Sequence, residues 1–514
     1  MSRREGNITR KKAISTEEGK YQQNRDYIDR RKELSAELRF VFILKFMLKW
    51  NKTNGRNESM SKQALQYLSE NREQLLDKLN QFLSIPSVST DSVHKNDIKE
   101  AANFLESYLN DIGFDQVEQQ DTGGHPLVYA EYNQAGPEAP TVLFYGHYDV
   151  QPVDPIDQWK SDPFKPEVRD GRLYARGASD DKGQVFMHLA VFEAYMNTEG
   201  KLPLNVKVCI EGEEEIGSEN LYDVLHDKKE QFHADFAVIS DSGMVAENQP
   251  TILYGLKGFT GIEISVTGPD HDLHSGMYGG AVRNPIMALN HILASMKNEE
   301  EVVTVDGFYD SVEPLSDDER DLIRNVEGED YPKATGVTET ASEKGYTAKE
   351  HTMGRPTFEI NGMYGGYQGE GTKTIIPSTA TAKITCRLVP GQDPEKIQEL
   401  LEKHVHKVAP SGITVDVKKE KLSAKAYKVE PDNPLIKKAA KSYTESFGKE
   451  TVYVRMGGSI PVVEWIEGIY DIPIVLLGFG TPDDRLHSPN ESFPLDSFDK
   501  GMETLVRYWA EVNA

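Results

Sequence analysis

Four short apolar runs each break off at residues that can carry a proton or hold a metal. TVLFYG (141–146) is followed by His147 and Asp149, VKVCI (206–210) by Glu211, Glu213, Glu214 and Glu215, and DFAVIS (235–240) by Asp241. The fourth, IPIVLLG (472–478), leads through a short loop to His487. Apolar runs of this length without polar alternation read as strands buried on both faces, which belong in an α/β sheet covered by helices. The helical stretch QVFMHLAVFEAYM (184–196) lies between the first two runs, and Asp180 and Asp181 in ARGASDDKG stand just before it. Open α/β sheets bind ligands beyond the carboxyl ends of their strands. Five distant segments are therefore expected to deliver imidazoles and carboxylates to one sheet edge.

Glu213, Glu214 and Glu215 repel one another, and burying them unpaired at a strand end is costly. Two divalent cations sharing a bridging aspartate resolve the conflict. Imidazole with carboxylate suits Zn²⁺ first, with Mn²⁺ or Co²⁺ next. A glutamate left outside the coordination is free to take a proton from a water between the ions. Singly, these residues are weak signals. A lone His147 or His487 more often sits on a surface or in a satisfied core, a glutamate run usually faces solvent, and Asp180–Asp181 can cap the following helix. Their joint placement at strand ends favours a metal site. Two other motifs fail: there is no His-Glu-x-x-His helix, and in GYQGEGTKT (366–374) Thr372 separates the glycine from Lys373, which breaks a phosphate-binding loop.

Composition narrows the partners. A formal net charge of −25 argues against the nucleic-acid backbone as a partner and mildly against an anionic membrane surface. The two cysteines, Cys209 and Cys386, lie in apolar runs and read as buried reduced thiols of a cytoplasmic protein. Residues 1–59 differ from the rest, with 15 Lys+Arg against 8 Asp+Glu. Their apolar patch FVFILKFMLKW (Phe40 to Trp50) contains Lys45 and Lys49 and is too short to span a bilayer. Met60 opens an amphipathic helical pattern, so residues 1–59 are expected to be an extension outside the fold.

Leu75, Leu76, Leu79, Phe82 and Leu83 mark a helix ended by Pro86, and Ile98, Ala102, Leu105, Leu109 and Ile112 mark a second that stops at Gly113. From about Gly255 the pattern becomes GFTGIEISVTG, a half-exposed strand, followed by a helix at 284–296 and a long polar stretch. A strand (381–390), a helix (394–408) and a strand (413–422) complete it. The expected organisation is an α/β catalytic domain of two parts, 60–255 and 425–514, with a mixed, largely parallel sheet flanked by helices. A smaller α+β domain, 256–424, is inserted between them.

In order and spacing, GHYDVQP, GRLYARGASDDKG, EGEEEIGS, SDSGM, DLHSG and HSPNE resemble the dinuclear metallopeptidase family of carnosinase-type dipeptidases, carboxypeptidase G, acetylornithine deacetylase and succinyl-diaminopimelate desuccinylase. GTKTIIP, RLVP and GGSIP point to the carnosinase-like subgroup. The resemblance covers roughly residues 65–514. It implies that Asp180 bridges two ions, with His147 and Asp241 completing one site and Glu215 and His487 the other. Glu214 becomes the general base, Asp149 orients the His147 ring, and a cis peptide joins Asp180 to Asp181. His274, Arg387, Thr374 and Ser459 match substrate-handling positions, the histidine reaching across a homodimer from a lid. The implied activity is hydrolysis of short peptides; the same metal centre also serves deacylation of N-acylated amino acids. A non-catalytic binding protein of this fold is disfavoured because Glu214 and every expected ligand are present.

Overall fold

The apolar runs form the middle of a nine-stranded sheet. The computed structural model describes residues 60–326 and 331–513; the extension expected at 1–59, with its apolar patch, lies outside them. Thr141–His147 runs parallel to Asn205–Glu211 on one side and to Phe236–Ile239 on the other, and Ile474–Leu476 is parallel to Phe236–Ile239. Antiparallel strands flank this centre: Leu127–Tyr132 and Gln116–Gln120 at one side, Thr251–Leu256 and Tyr427–Lys428 at the other. Val452–Met456 pairs in parallel with Thr251–Leu256. The sheet is thus mixed, with its parallel run where both faces are covered. Register places His147 opposite Glu211, so the glutamate cluster begins beside the first imidazole.

The helix Lys182–Glu199 is buried on every side through Tyr195, which explains why its apolar residues show no single face. It packs against Thr141–His147 and between the helices Arg72–Leu83 and Leu495–Val512. Gly183 makes its start possible: a Cβ there would lie 2.0 Å from the carbonyl oxygen of Ala178. Gly146 does the same for the strand end, since a Cβ would come within 2.5 Å of Val185.

Leu256 ends in the large sheet and Gly258 begins in a second one, so the chain changes sheets across Lys257. The second sheet has four antiparallel strands in the order Thr357–Gly365, Thr379–Leu388, Gly258–Thr267, Thr414–Lys419. Helices Pro285–Ala294 and Pro394–Val408 pack on it. Each starts with proline at its first position, after the side-chain caps Asn284 and Asp393. Ile262, Ile264, Val266, Leu289, Ile384, Leu401 and Val405 fill its core. The polar stretch between these helices is more ordered than its composition implies. It contains helices Asp317–Asn325 and Ala348–Gly354, both with capping boxes, and the sheet's edge strand Thr357–Gly365. That strand has only one paired side and is largely exposed, so it lacks the apolar signature of a central strand. Residues Gln63–Asn513 pack as one unit.

Ile264 is fully buried in the second core. Ile264→Ala is expected to cost about 2–5 kcal/mol, seen as a lower denaturant midpoint; an unchanged midpoint would show that this core does not limit stability.

Candidate metal centre

The backbone around His147 is held from both sides. Tyr148 N–H donates to Glu211 O (2.8 Å), Val150 N–H to Ser87 O (2.9 Å), and the Ser87 hydroxyl to Tyr148 O (2.6 Å). His147 is wholly buried, and its Nδ1 faces the backbone oxygen of Asp149 at 3.0 Å and that residue's Oδ1 at 3.4 Å. A ring that donates its Nδ1 proton to those oxygens presents the lone pair of Nε2 to the sheet edge. Asp149 has a second task. Its carboxylate accepts the N–H groups of Glu214 (3.2 Å) and Glu215 (3.1 Å), and so anchors the single helical turn Glu214–Ile216.

Asp180 stands between two imidazoles. Its Oδ1 is 3.1 Å from His147 Nε2 and its Oδ2 is 2.9 Å from His487 Nε2. Asp241 Oδ2 lies 3.8 Å from His147 Nε2, and Glu215 Oε2 lies 3.2 Å from His487 Nε2. Two groups that can hold an ion result: His147, Glu214 and Asp241, and Asp180, Glu215 and His487. Ligand atoms placed tetrahedrally about 2.0–2.2 Å from a zinc ion sit about 3.3 Å apart, and the four spacings, 2.9 to 3.8 Å, bracket that value. The donor set and its spacing therefore fit two cations sharing Asp180. The peptide between Asp180 and Asp181 is cis. His487, 54% exposed, marks the open side of the centre, while His147 forms its floor.

Each glutamate of the cluster finds a different environment. Burial pushes Glu211 up to about 8, while Tyr145 and Ser218 donate to it. Glu213 accepts from His125 N–H and from the Asn220 amide. Glu215 faces His487 and accepts from Gln151 Nε2 at 2.8 Å. Glu214 accepts no hydrogen bond on its carboxylate among the described residues, and burial drives its pKa well up. Burial also lifts Asp241 to about 7, and Asp180 and Glu215 raise His487 to about 10. Without cations, the edge carries more negative charge than its two imidazoles balance.

The four expected substrate-handling residues fall into two pairs. His274 is paired in register with Ile375, and the neighbouring Ser275 N–H donates to Thr374 O at 3.0 Å, so His274 and Thr374 share one exposed ladder. The His274 Nδ1 accepts from Gly276 N–H. Arg387 donates from Nη1 to Ser459 Oγ at 3.0 Å, and Ser459 donates in turn to the backbone oxygen of Lys257. Arg387 forms no ion pair among the described residues, and burial lowers its pKa. Sequence reasoning missed Asp484 and Glu491, fully buried carboxylates on either side of His487. Their signal was faint: Asp484 is half of an Asp483–Asp484 pair that reads as a loop, and Glu491 stands in a segment already explained by the histidine.

The sequence profile of the peptidase family M20/M25/M40 matches residues 143–511. The chain belongs to this family. The Cys-Gly metallodipeptidase dug1 of Schizosaccharomyces pombe is 32% identical over 465 residues, covering 87% of this chain and 97% of the relative. The human Beta-Ala-His dipeptidase is 28% identical over 472 residues, 88% of this chain and 93% of that protein. The crystal structure of the family M20 metallo-carboxypeptidase Sso-CP2 from Sulfolobus solfataricus superposes with a TM-score of 0.73 at 33% identity, covering 85% of this chain and 99% of the other.

With Asp180 and Glu215 raising its pKa to about 10, His487 is expected to be an imidazolium in the metal-free chain at pH 7, and an incoming cation to displace that proton. Calorimetric titration with Zn²⁺ in buffers of different ionisation heat is expected to show net proton release. Apparent affinity should rise about tenfold per pH unit for each proton displaced. An affinity flat from about pH 6 to about pH 8 would show that His487 meets the carboxylates uncharged.

Proposed function

We propose that this protein is a metal-dependent dipeptidase that hydrolyses short unblocked peptides at a centre of two divalent ions. The observation that carries the reading is the Asp180 carboxylate, which turns one oxygen to each of two imidazoles beside Glu214, whose carboxylate accepts no hydrogen bond among the described residues. Zinc is the expected metal, with manganese or cobalt next. His147 and Asp241 would hold one ion, Glu215 and His487 the other, and Asp180 both. The chemistry such ions would supply there is polarisation of the scissile carbonyl and a lowered pKa for water.

The chain's own residues do the rest. Glu214 takes a proton from the attacking water and passes it to the departing amine, which is general base and then general acid work. Burial raises its pKa, which favours holding the proton between the two halves of that transfer. Asp149 orients the His147 ring and, through two backbone N–H groups, the Glu214–Glu215 turn. Arg387, half-buried without a carboxylate partner among the described residues, receives the substrate's terminal carboxylate with Ser459 beside it, and Thr374, on the His274 ladder, is assigned to the same substrate. His274 lies exposed on its ladder, and we place it over the scissile carbonyl of a second copy in a homodimer, the second sheet acting as lid and dimerisation domain (256–424). Among the described residues no helix is long and apolar enough to cross a membrane. Cys209 and Cys386 are free and buried, in keeping with the cytoplasmic location proposed for the enzyme.

Glu214→Gln is expected to keep both metals and lose turnover by several orders of magnitude; equal rates would end the reading. Against a panel, unblocked dipeptides should be cleaved and N-acetyl or N-succinyl amino acids spared; the reverse result would make the protein a deacylase. Arg387→Ala should lower kcat/KM about 30-fold or more, as expected for leaving a partly buried charge without its counterion. An effect as large on a substrate whose terminal carboxylate is amidated as on the free acid would place that carboxylate elsewhere.

A further inference from the structure

Glu491 lies four residues beyond His487, is completely buried, and touches the loop that carries Asp180. All four groups that meet its carboxylate are donors. Oε1 accepts the backbone N–H groups of Ser179 (3.0 Å) and Asp180 (3.2 Å), while Oε2 accepts Gly177 N–H (3.1 Å) and Arg176 Nη1 (2.6 Å). The backbone closes the same contact, because Ala175 N–H donates to Glu491 O at 3.2 Å. Only an acceptor at both oxygens satisfies this cradle. An amide of the same shape would turn two N–H bonds toward donors. Arg176 is itself buried, and its other terminal nitrogen donates to Pro152 O at 2.9 Å, which ties the cradle to the segment beyond Asp149.

A second buried carboxylate repeats the pattern on the other side of His487. Asp484 accepts the hydroxyl of Ser179 at 2.6 Å, the N–H of Thr481 at 2.7 Å, the Thr481 hydroxyl and the Arg172 guanidinium. The loop leading to His487 and the loop carrying Asp180 are therefore joined twice, before and after the imidazole. His487 and Asp180 face each other at 2.9 Å across that joint.

We infer that Glu491 is a positioning residue for the metal centre: it fixes the Asp180 loop against the His487 loop so that both reach the same ion. The inference rests on the dinuclear reading above. It assigns the glutamate of HSPNE a role apart from ligation, since Glu491 contacts the backbone at Asp180 and no side chain of either ion-holding group. Groups that orient ligands from behind commonly shift metal affinity about 10–100-fold when removed.

The test compares wild type, Glu491→Gln and Glu491→Asp, each stripped of metal and titrated with Zn²⁺ by calorimetry and with Co²⁺ by visible absorption. Wild type is expected to take two ions. The glutamine variant should bind at least one of them about 10–100-fold more weakly, with an altered Co²⁺ ligand-field spectrum. The aspartate variant, which keeps charge and acceptors but draws them back, should lose less, and it decides the question if the glutamine variant fails to fold. A merely structural role would lower the melting temperature of the metal-free chain while leaving both affinities and the Co²⁺ spectrum alone. A folded variant of either kind that holds both ions within twofold of wild type overturns the inference. A wild type that takes fewer than two ions defeats the dinuclear reading instead.

Discussion

Repulsion among carboxylates is the constraint on which this structure depends. Asp180, Glu214, Glu215 and Asp241 converge at the ends of strands already buried in a mixed sheet, where solvent screens them poorly. Two imidazoles offset part of that charge, and burial, with the neighbouring carboxylates adding to it, raises the pKa values of Glu214 and Asp241. An edge of this kind holds together when positive charge of higher valence occupies it. The binding of ions and the folding of the edge are then one equilibrium.

Because the ligands repel one another, the scaffold must hold them from behind. It does so with carboxylates that accept backbone N–H groups: Asp149 beneath the glutamate turn and Glu491 beneath the Asp180 loop. These holders are buried, and their oxygens are committed to donors. Asp180, Asp241 and Glu215 turn oxygens to imidazoles instead, and among the described residues only Glu215 of these three also accepts a side-chain amide, from Gln151. The contrast separates acidic residues that build the site from those that would use it.

Much of this arrangement was legible before any coordinates. The strands of the parallel centre announced themselves because both faces are covered and every residue of Thr141–His147 after the first is buried. The polar residue following each strand then had one place to go, the sheet edge. The edge strand Thr357–Gly365 was invisible for the converse reason: exposed along most of its length, it carries no pattern that distinguishes it from a loop. Which glutamate meets which group could not be read from periodicity either. That distinction arises from a one-turn helix whose position is set by Asp149, 65 residues upstream of Glu214. Glu491 was hidden more deeply, because its partners are backbone groups, and a sequence does not record where an N–H points.

The change of sheets across a single residue has a further meaning. Arg387 belongs to the small sheet, whereas Ser459 follows a strand of the large one, and the hydroxyl linking them rests on the carbonyl of Lys257, the residue at the seam. The chain's crossing between the sheets and a side-chain contact between them thus occupy the same spot. The two sheets cannot swing apart there without separating the arginine from its serine. An anion seated between those two side chains would act as a bolt on the doorway.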